Sequence, residues 1–242
     1  MTVLERLSLG GGLAVLIDPG RTQPAAAAAL AARAADAGAS AILVGNSFAG
    51  GEHAGEVVSA VRGAAVGIPL LQFPATASQL VPDVDAALFL SLISGRNAQY
   101  LMEEHVRAVP FFDRHPEIEV ISTAYCLVDG GAVTSVEAVS QTRPLPAHRP
   151  EMIRAHVRAA MLIGMRAAYL DAGSGAAEPV APALVRAARE VCGGPLFVGG
   201  GIRDADTVRR ARDAGASYVV VGTLFELGSA RGVQELALAA RT

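Results

Sequence analysis

Eight short runs of continuous apolar, β-prone residues recur along the chain: LAVLID, AILVG, PLLQF, AALFLSL, EVISTAYCLV, AAYLDAG, PLFVGGG and YVVVGT. A strand that is apolar at every position, and not at every second one, is buried on both faces. That is the condition of a parallel sheet covered by helices. Parallel neighbours need a crossover between them. Most of the intervals hold Ala-rich stretches of helical spacing, such as QPAAAAALAARAADAG and EMIRAHVRAAMLIG. Pro24, Pro150 and Pro182 stand at helix starts, and Gly38, Gly164 and Gly215 follow helix ends. After Phe73 the sequence supports only a short, weak helix.

An internal echo narrows the topology. DAGASAILVG (36–45) and DAGASYVVVG (213–222) each read as a helix end, a tight turn and a buried strand. Eight strands with helices between them, and no linker separating the two echoes, predict an α/β chain folded as a single (β/α)8 TIM barrel over residues 1–242. The Gly/Pro-rich segment 129–150 exceeds an ordinary βα loop and is expected to be an elaborated loop beside the site.

A hydrophobic content of 52% supplies a large core; with 5% aromatics and no Trp, that core is expected to be mostly Ala, Val and Leu. A net charge of −3 argues against nucleic acid as a partner. Cys126 and Cys192 lack CxxC or His-partner spacing and read as buried thiols in a reducing compartment. The N-terminus MTVLERLSLGGG has no apolar signal region, and no apolar run reaches the roughly 18 residues of a membrane span, so a cytoplasmic location is expected.

In a barrel the C-terminal ends of the strands share one face, where active sites are built. The polar or bare residues at those ends are Asp18, Asn46 with Ser47, Ser91, Tyr125, Asp171, Gly199 to Gly201, and Gly222 with Thr223. GSGA after strand six, GGGIRD after strand seven and GTLFE after strand eight form three consecutive Gly-rich loops. Bare backbone N–H groups there can converge on a phosphate, or the glycines can serve tight turns alone. Asp18 either caps the Pro19–Thr22 turn or, with Ser47, offers oxygens to Mg2+, which takes few protein ligands plus phosphate and water. The five histidines form no metal-ligand spacing and read as surface or loop residues. There is no Gly-x-Ser-x-Gly elbow, Walker loop or dinucleotide fingerprint.

The segments LIDPGR, AGASAILVGNS, DAALFLSLISGRN, STAYCLVDGGAVTSV, YLDAGSGA, FVGGGIRD and AGASYVVVGT together resemble the geranylgeranylglyceryl phosphate synthase family, which includes the heptaprenylglyceryl phosphate synthases. The resemblance covers nearly the whole chain. It implies Mg2+-dependent transfer of a prenyl group from a polyprenyl diphosphate to the hydroxyl of a three-carbon phosphate, sn-glycerol 1-phosphate. On matching positions it implies Asp18 and Ser47 as metal ligands. Arg21, Tyr169, Leu170, Asp171, Ala172, Gly173, Ser174, Gly175, Gly200, Gly201, Gly222 and Thr223 would bind substrate, with Asp171 and Tyr169 catalytic. A homodimer with transient membrane-surface contact is expected, and the tail groove is placed among apolar strand ends and the segment 96–112. The chain departs from the family at Asp171 (usually Glu), at DPGR (usually DPDK), at GNSF (commonly GGS or GGT) and at SGRN (usually NS). These changes bring in two alternatives. One is 3-phosphoglycerate as acceptor, as in a phosphoglycolipid-pathway member, with Arg21 or Arg203 facing its carboxylate. The other is an inactive phosphate-binding barrel or a sugar-phosphate isomerase or lyase.

Overall fold

Both faces of each apolar run are covered, and that is why the runs become strands. In the computed structural model, which describes residues 1–46, 53–222 and 230–241, the strands are β1 (Gly12–Ile17), β2 (Ala41–Val44), β3 (Leu70–Gln72), β4 (Ala86–Leu92), β5 (Glu119–Leu127), β6 (Ala167–Asp171), β7 (Leu196–Gly199) and β8 (Tyr218–Val221). All pair in parallel, each with its neighbours in sequence, and β1 pairs with β8 to close the barrel. The two echoed segments prove to be the strands on either side of β1. Ala14 lies opposite Ala41 of β2 and Val220 of β8.

The helices cover the outside. They are α1 (Val3–Leu9), α2 (Pro24–Ala37), α3 (Ala54–Ala64), α4 (Glu104–Arg114), α5 (Ser135–Ser140), α6 (Pro150–Leu162), α7 (Pro182–Arg189), α8 (Ala205–Asp213) and α9 (Ala230–Ala239). Pro24, Pro150 and Pro182 are the first residues of their helices, where the missing N–H costs no hydrogen bond. The weak element after Phe73 is one 3-10 turn, Ala77–Gln79, and a π-helical turn, Gln99–Glu103, leads into α4. Segment 129–150 is a loop carrying α5, tied to the barrel by a bridge between Val128 and Leu145.

The core has two chemically different layers. Between sheet and helices it is Ala, Val, Leu and Ile, as composition suggested. Inside the barrel, however, three of the chain's four tyrosines join Phe73 and Phe197 in a continuous aromatic column. Phe73 stacks on Tyr169 at 5.0 Å between centroids, Tyr169 on Phe197 at 6.0 Å, and Phe197 on Tyr218 at 5.0 Å. Five aromatics fill this narrow interior, while Phe89, Phe111 and Phe112 form a second group with His105 and His115. Both cysteines are buried and free, and burial pushes the Cys126 thiol up to about 12.

Helix α1 closes the N-terminal end of the barrel. Leu7 is buried in the interior cluster and its carbonyl accepts from the Tyr218 hydroxyl (3.1 Å). A Glu119 oxygen at the start of β5 accepts from the Val3 and Leu4 N–H groups (2.6 and 3.3 Å), so one carboxylate satisfies two donors of the helix N-terminus. Glu119→Ala should therefore destabilise the protein by about 1–2 kcal/mol in chemical denaturation, with hydrogen exchange speeding first in residues 3–9. Unchanged protection of that segment would show the helix to be held by its apolar contacts alone.

Candidate active site

Period-two alternation decides which side chains reach the barrel mouth. On β6, Ala167 and Tyr169 belong to the interior cluster, while Ala168 and Leu170 belong to the cluster under the helices. Asp171, the next inward position, ends the strand at the top of the barrel. It is 7% exposed and stands opposite Gly199 of β7. The side chains of Leu170 and Ala172 face the outer layer, so they can contribute backbone only, and the Ala172 N–H is already given to the Gly199 carbonyl (3.1 Å).

Each oxygen of Asp171 has one donor. The Tyr125 hydroxyl donates to Oδ2 at 2.5 Å, and the Gly173 N–H donates to Oδ1 at 2.7 Å. Burial holds the Asp171 carboxyl above its ordinary range, against the lowering effect of these two hydrogen bonds. Burial, followed by the charge of Asp171, pushes the Tyr125 phenol well above 10 and keeps it a donor. A carboxylate so placed is a stronger base than one in water and retains lone pairs for a hydroxyl. The phenol that meets it is Tyr125, on β5. Tyr169, expected to act beside Asp171, sits one layer lower at 2% exposure, packed among Phe73, Tyr125 and Phe197.

The glycine loops meet around this acid. Gly200 has φ +81, and a Cβ there would come within 2.5 Å of the Gly173 nitrogen and 2.7 Å of Asp171 Oδ1, so the loops after β6 and β7 touch through bare backbone. Ser174 and Gly175 are exposed at the rim, and Gly201 backs onto the Glu178 carbonyl. Arg203 binds this arrangement together by donating to the carbonyls of Ala176 (2.9 Å) and Ala177 (2.8 Å). The N-terminus of α8 is occupied by its own cap, since Asp204 accepts from the Thr207 N–H at 2.7 Å. Gly222, just past β8, is a different kind of glycine. A Cβ there would meet Leu16 at ordinary contact distances of 3.5 Å and more, so a small side chain fits without a clash. Thr223 lies outside the described residues, as does Ser47.

Asp18 follows β1, and its two oxygens are used differently. Oδ1 accepts from the Gly20 N–H (2.8 Å) and from Asn46 Nδ2 (2.9 Å), which caps the turn. Oδ2 faces outward, 3.7 Å from Nε of the exposed Arg21. Turn-capping and ligand binding are therefore compatible in one residue. Among the described residues no group of three or more His, Cys, Asp or Glu could cage a metal. One outward carboxylate oxygen fits Mg2+ only as it is bound with substrate phosphate.

An apolar cleft opens beside Tyr125. Its lining includes Phe73, Leu90, Leu92 and Tyr100, closed on the far side by Val136 and Val139 of α5. Segment 129–150 thus stands beside the site, and segment 96–112 contributes Tyr100 and Glu104, while Met102, Val106 and Val109 face outward and exposed. Glu104 is the one acid among the described residues of the cleft wall. It accepts from the Ala77 N–H (2.8 Å), Gln99 (3.1 Å) and Arg107 (2.9 Å), joining the 3-10 turn to α4.

Comparison with known proteins adds to this geometry. The PcrB family model matches residues 12–239. A geranylgeranylglyceryl phosphate synthase from Chitinophaga pinensis is 38% identical over 213 residues, covering 88% of this chain and 84% of the relative. One from Spirosoma linguale is 38% identical over 228 residues, covering 93% and 91%. Among solved structures, (S)-3-O-geranylgeranylglyceryl phosphate synthase from Thermoplasma acidophilum, in complex with its substrate sn-glycerol-1-phosphate, matches with a TM-score of 0.92 at 29% identity, over 100% of this chain and 99% of that one.

The Asp171 pair has a pH signature. Carbon-detected NMR should place its titration midpoint above the usual value of about 3.9. Tyr125→Phe removes a donor that favours the charged form, so the midpoint should move further up. A downward shift in that variant would mean that the phenol does not donate to the carboxylate.

Proposed function

This chain belongs to the PcrB family, and on that premise we propose that it joins a polyprenyl diphosphate to the hydroxyl of sn-glycerol 1-phosphate, forming an ether and releasing diphosphate. It is a prenyltransferase, as its relatives are. The observation that carries the reading is one buried carboxylate, Asp171, between Gly-rich loops on one side and an apolar cleft starting at Tyr125 on the other. A phosphorylated alcohol suits the loops, a hydrocarbon tail suits the cleft, and the acid stands where hydroxyl and allylic carbon would meet.

Asp171 orients the acceptor hydroxyl and takes its proton as the hydroxyl oxygen bonds to C1 of the prenyl chain. The bond from C1 to the diphosphate oxygen breaks in the same event, and its electron pair leaves with the diphosphate. Tyr125 holds Oδ2 in place and helps exclude water from the carboxylate. Gly173, Ser174, Gly175, Gly200 and Gly201 would bind the acceptor phosphate through backbone and hydroxyl donors. Mg2+, held by Asp18 and Ser47 together with diphosphate oxygens, would neutralise charge developing on the leaving group.

Glycerol 1-phosphate is preferred to 3-phosphoglycerate because Arg203, one of the two arginines considered for an acceptor carboxylate, is engaged. Arg203 serves the Ala176 and Ala177 carbonyls, and Arg21 stands beside Asp18. Among the described residues no helix is long and apolar enough to cross a membrane. We place the protein in the cytoplasm as a homodimer that touches the membrane surface to exchange lipid, with residues 1–242 as one barrel.

Mixing the protein with Mg2+, prenyl diphosphates of graded length and either acceptor should release diphosphate and give a prenyl ether of glycerol phosphate by mass spectrometry. Asp171→Asn should lower kcat by about 10²–10⁴. Full activity in that variant would remove the base role, and binding without turnover in the unmodified protein would favour a non-catalytic barrel. Gly222→Ala should fold normally, since a Cβ meets only ordinary contacts there, yet raise the acceptor KM several-fold by narrowing the mouth. An unchanged acceptor KM would place the acceptor elsewhere.

A further inference from the structure

Behind Asp18 runs a chain of side-chain amides that the proposed chemistry does not use. Asn46 Nδ2 donates to Asp18 Oδ1 (2.9 Å), Gln79 Nε2 donates to Asn46 Oδ1 (2.8 Å), and Gln79 Oε1 accepts from the Ala75 N–H (2.7 Å). Both ends have fixed polarity. A carboxylate can only accept, and a backbone N–H can only donate. The Asn46 amide must therefore turn its NH2 to Asp18 and its oxygen to Gln79, and Gln79 must turn its NH2 to Asn46 and its oxygen to Ala75. No other orientation of the two amides satisfies all three contacts.

The far end of the chain is well anchored. Gln72, 3% exposed on β3, donates to the Gln79 carbonyl (2.6 Å) and accepts from the Val81 N–H (3.3 Å). Glu104 holds Ala77 between these points. Ala75 and Pro74 line the apolar cleft, and Asn46 borders both that cleft and a smaller hollow next to Pro19.

We propose that Asn46 and Gln79 are positioning residues for Asp18, acting as a relay of fixed polarity. They occupy Oδ1 from the wall of the tail cleft, so that Oδ2 alone is presented toward the diphosphate and its cation. The inference rests on the reading of Asp18 as a cation ligand. Neither amide touches the reacting atoms. Their effect is to give the carboxylate one orientation before any ligand arrives, which lowers the reorganisation that binding requires.

Two measurements test this, using the full chain with Mg2+ and inorganic diphosphate as probes. Gln79→Glu changes one NH2 to an oxygen, keeps the shape and still accepts from Ala75, but has no proton for Asn46. Asn46→Ala adds no charge, so a loss of Mg2+ affinity shared by both variants is not a charge effect. In calorimetric titrations of Mg2+ into protein with diphosphate present, Gln79→Glu and Asn46→Ala should each weaken binding by about tenfold or more. In metal-free protein, the Asn46 side-chain NH2 resonances should shift in Gln79→Glu. Unmoved resonances, or an affinity within twofold of the unmodified protein, would overturn the relay. If the unmodified protein takes up no Mg2+, the cation assignment fails and this role falls with it, while the NMR experiment still decides whether the amide chain exists.

Discussion

Closure of the parallel sheet, with β8 returning to β1, is the constraint from which the site follows. A closed barrel has one interior, and alternate residues of every strand compete for it. On β6 this places Ala167, Tyr169 and Asp171 in successive inward layers, so the acid rests on an aromatic floor. On β5 it brings Tyr125 inward beside that acid, 46 positions earlier in the chain. The short phenol–carboxylate contact is thus a product of strand register, in which Tyr125 pairs with Tyr169 and Leu127 with Asp171.

The opposite wall of the mouth is assembled by polar side chains. The segment after β3 has little helix of its own, only the turn Ala77–Gln79, yet Gln72, Gln79 and Glu104 hold its backbone at successive points. A loop that would otherwise be governed by its own weak propensity is thereby made part of the scaffold. The same holds across the barrel, where Arg203 uses two donors on the carbonyls after Gly175. Both walls are stiffened by charges and amides spent on backbone, with the buried carboxylate of Asp171 between them.

The sequence carried the fold clearly, because continuous apolar runs, helix-starting prolines and helix-ending glycines are all local signals. It also marked Asp18, Asp171 and the glycine loops, since a polar or bare residue closing an apolar run stands out. Pairings were less visible. Tyr125 could be seen to end a strand, but nothing within the chain joined it to Asp171 in preference to the nearby Tyr169. In a run that is apolar throughout, alternation leaves no mark, so Leu170 and Ala172 could not be separated from their inward neighbours. Composition likewise foretold the aliphatic layer, yet a bulk aromatic fraction could not show that five of the aromatics gather inside the barrel. Asn46 was marked as a polar strand end, but nothing tied it to Gln79, because amides announce no chemistry until their partners are known.

Helix α1 gives the barrel a sealed base. With that end closed, the proposed substrates would reach Asp171 from the mouth of the barrel, and their products would leave the same way. Molecules sharing one opening obstruct each other, so arrival and departure would acquire an order. The small anion can slip out past the rim, whereas the long product must be drawn out along the cleft that received its tail. Turnover in such a vessel is governed as much by the queue at its opening as by the bond made inside.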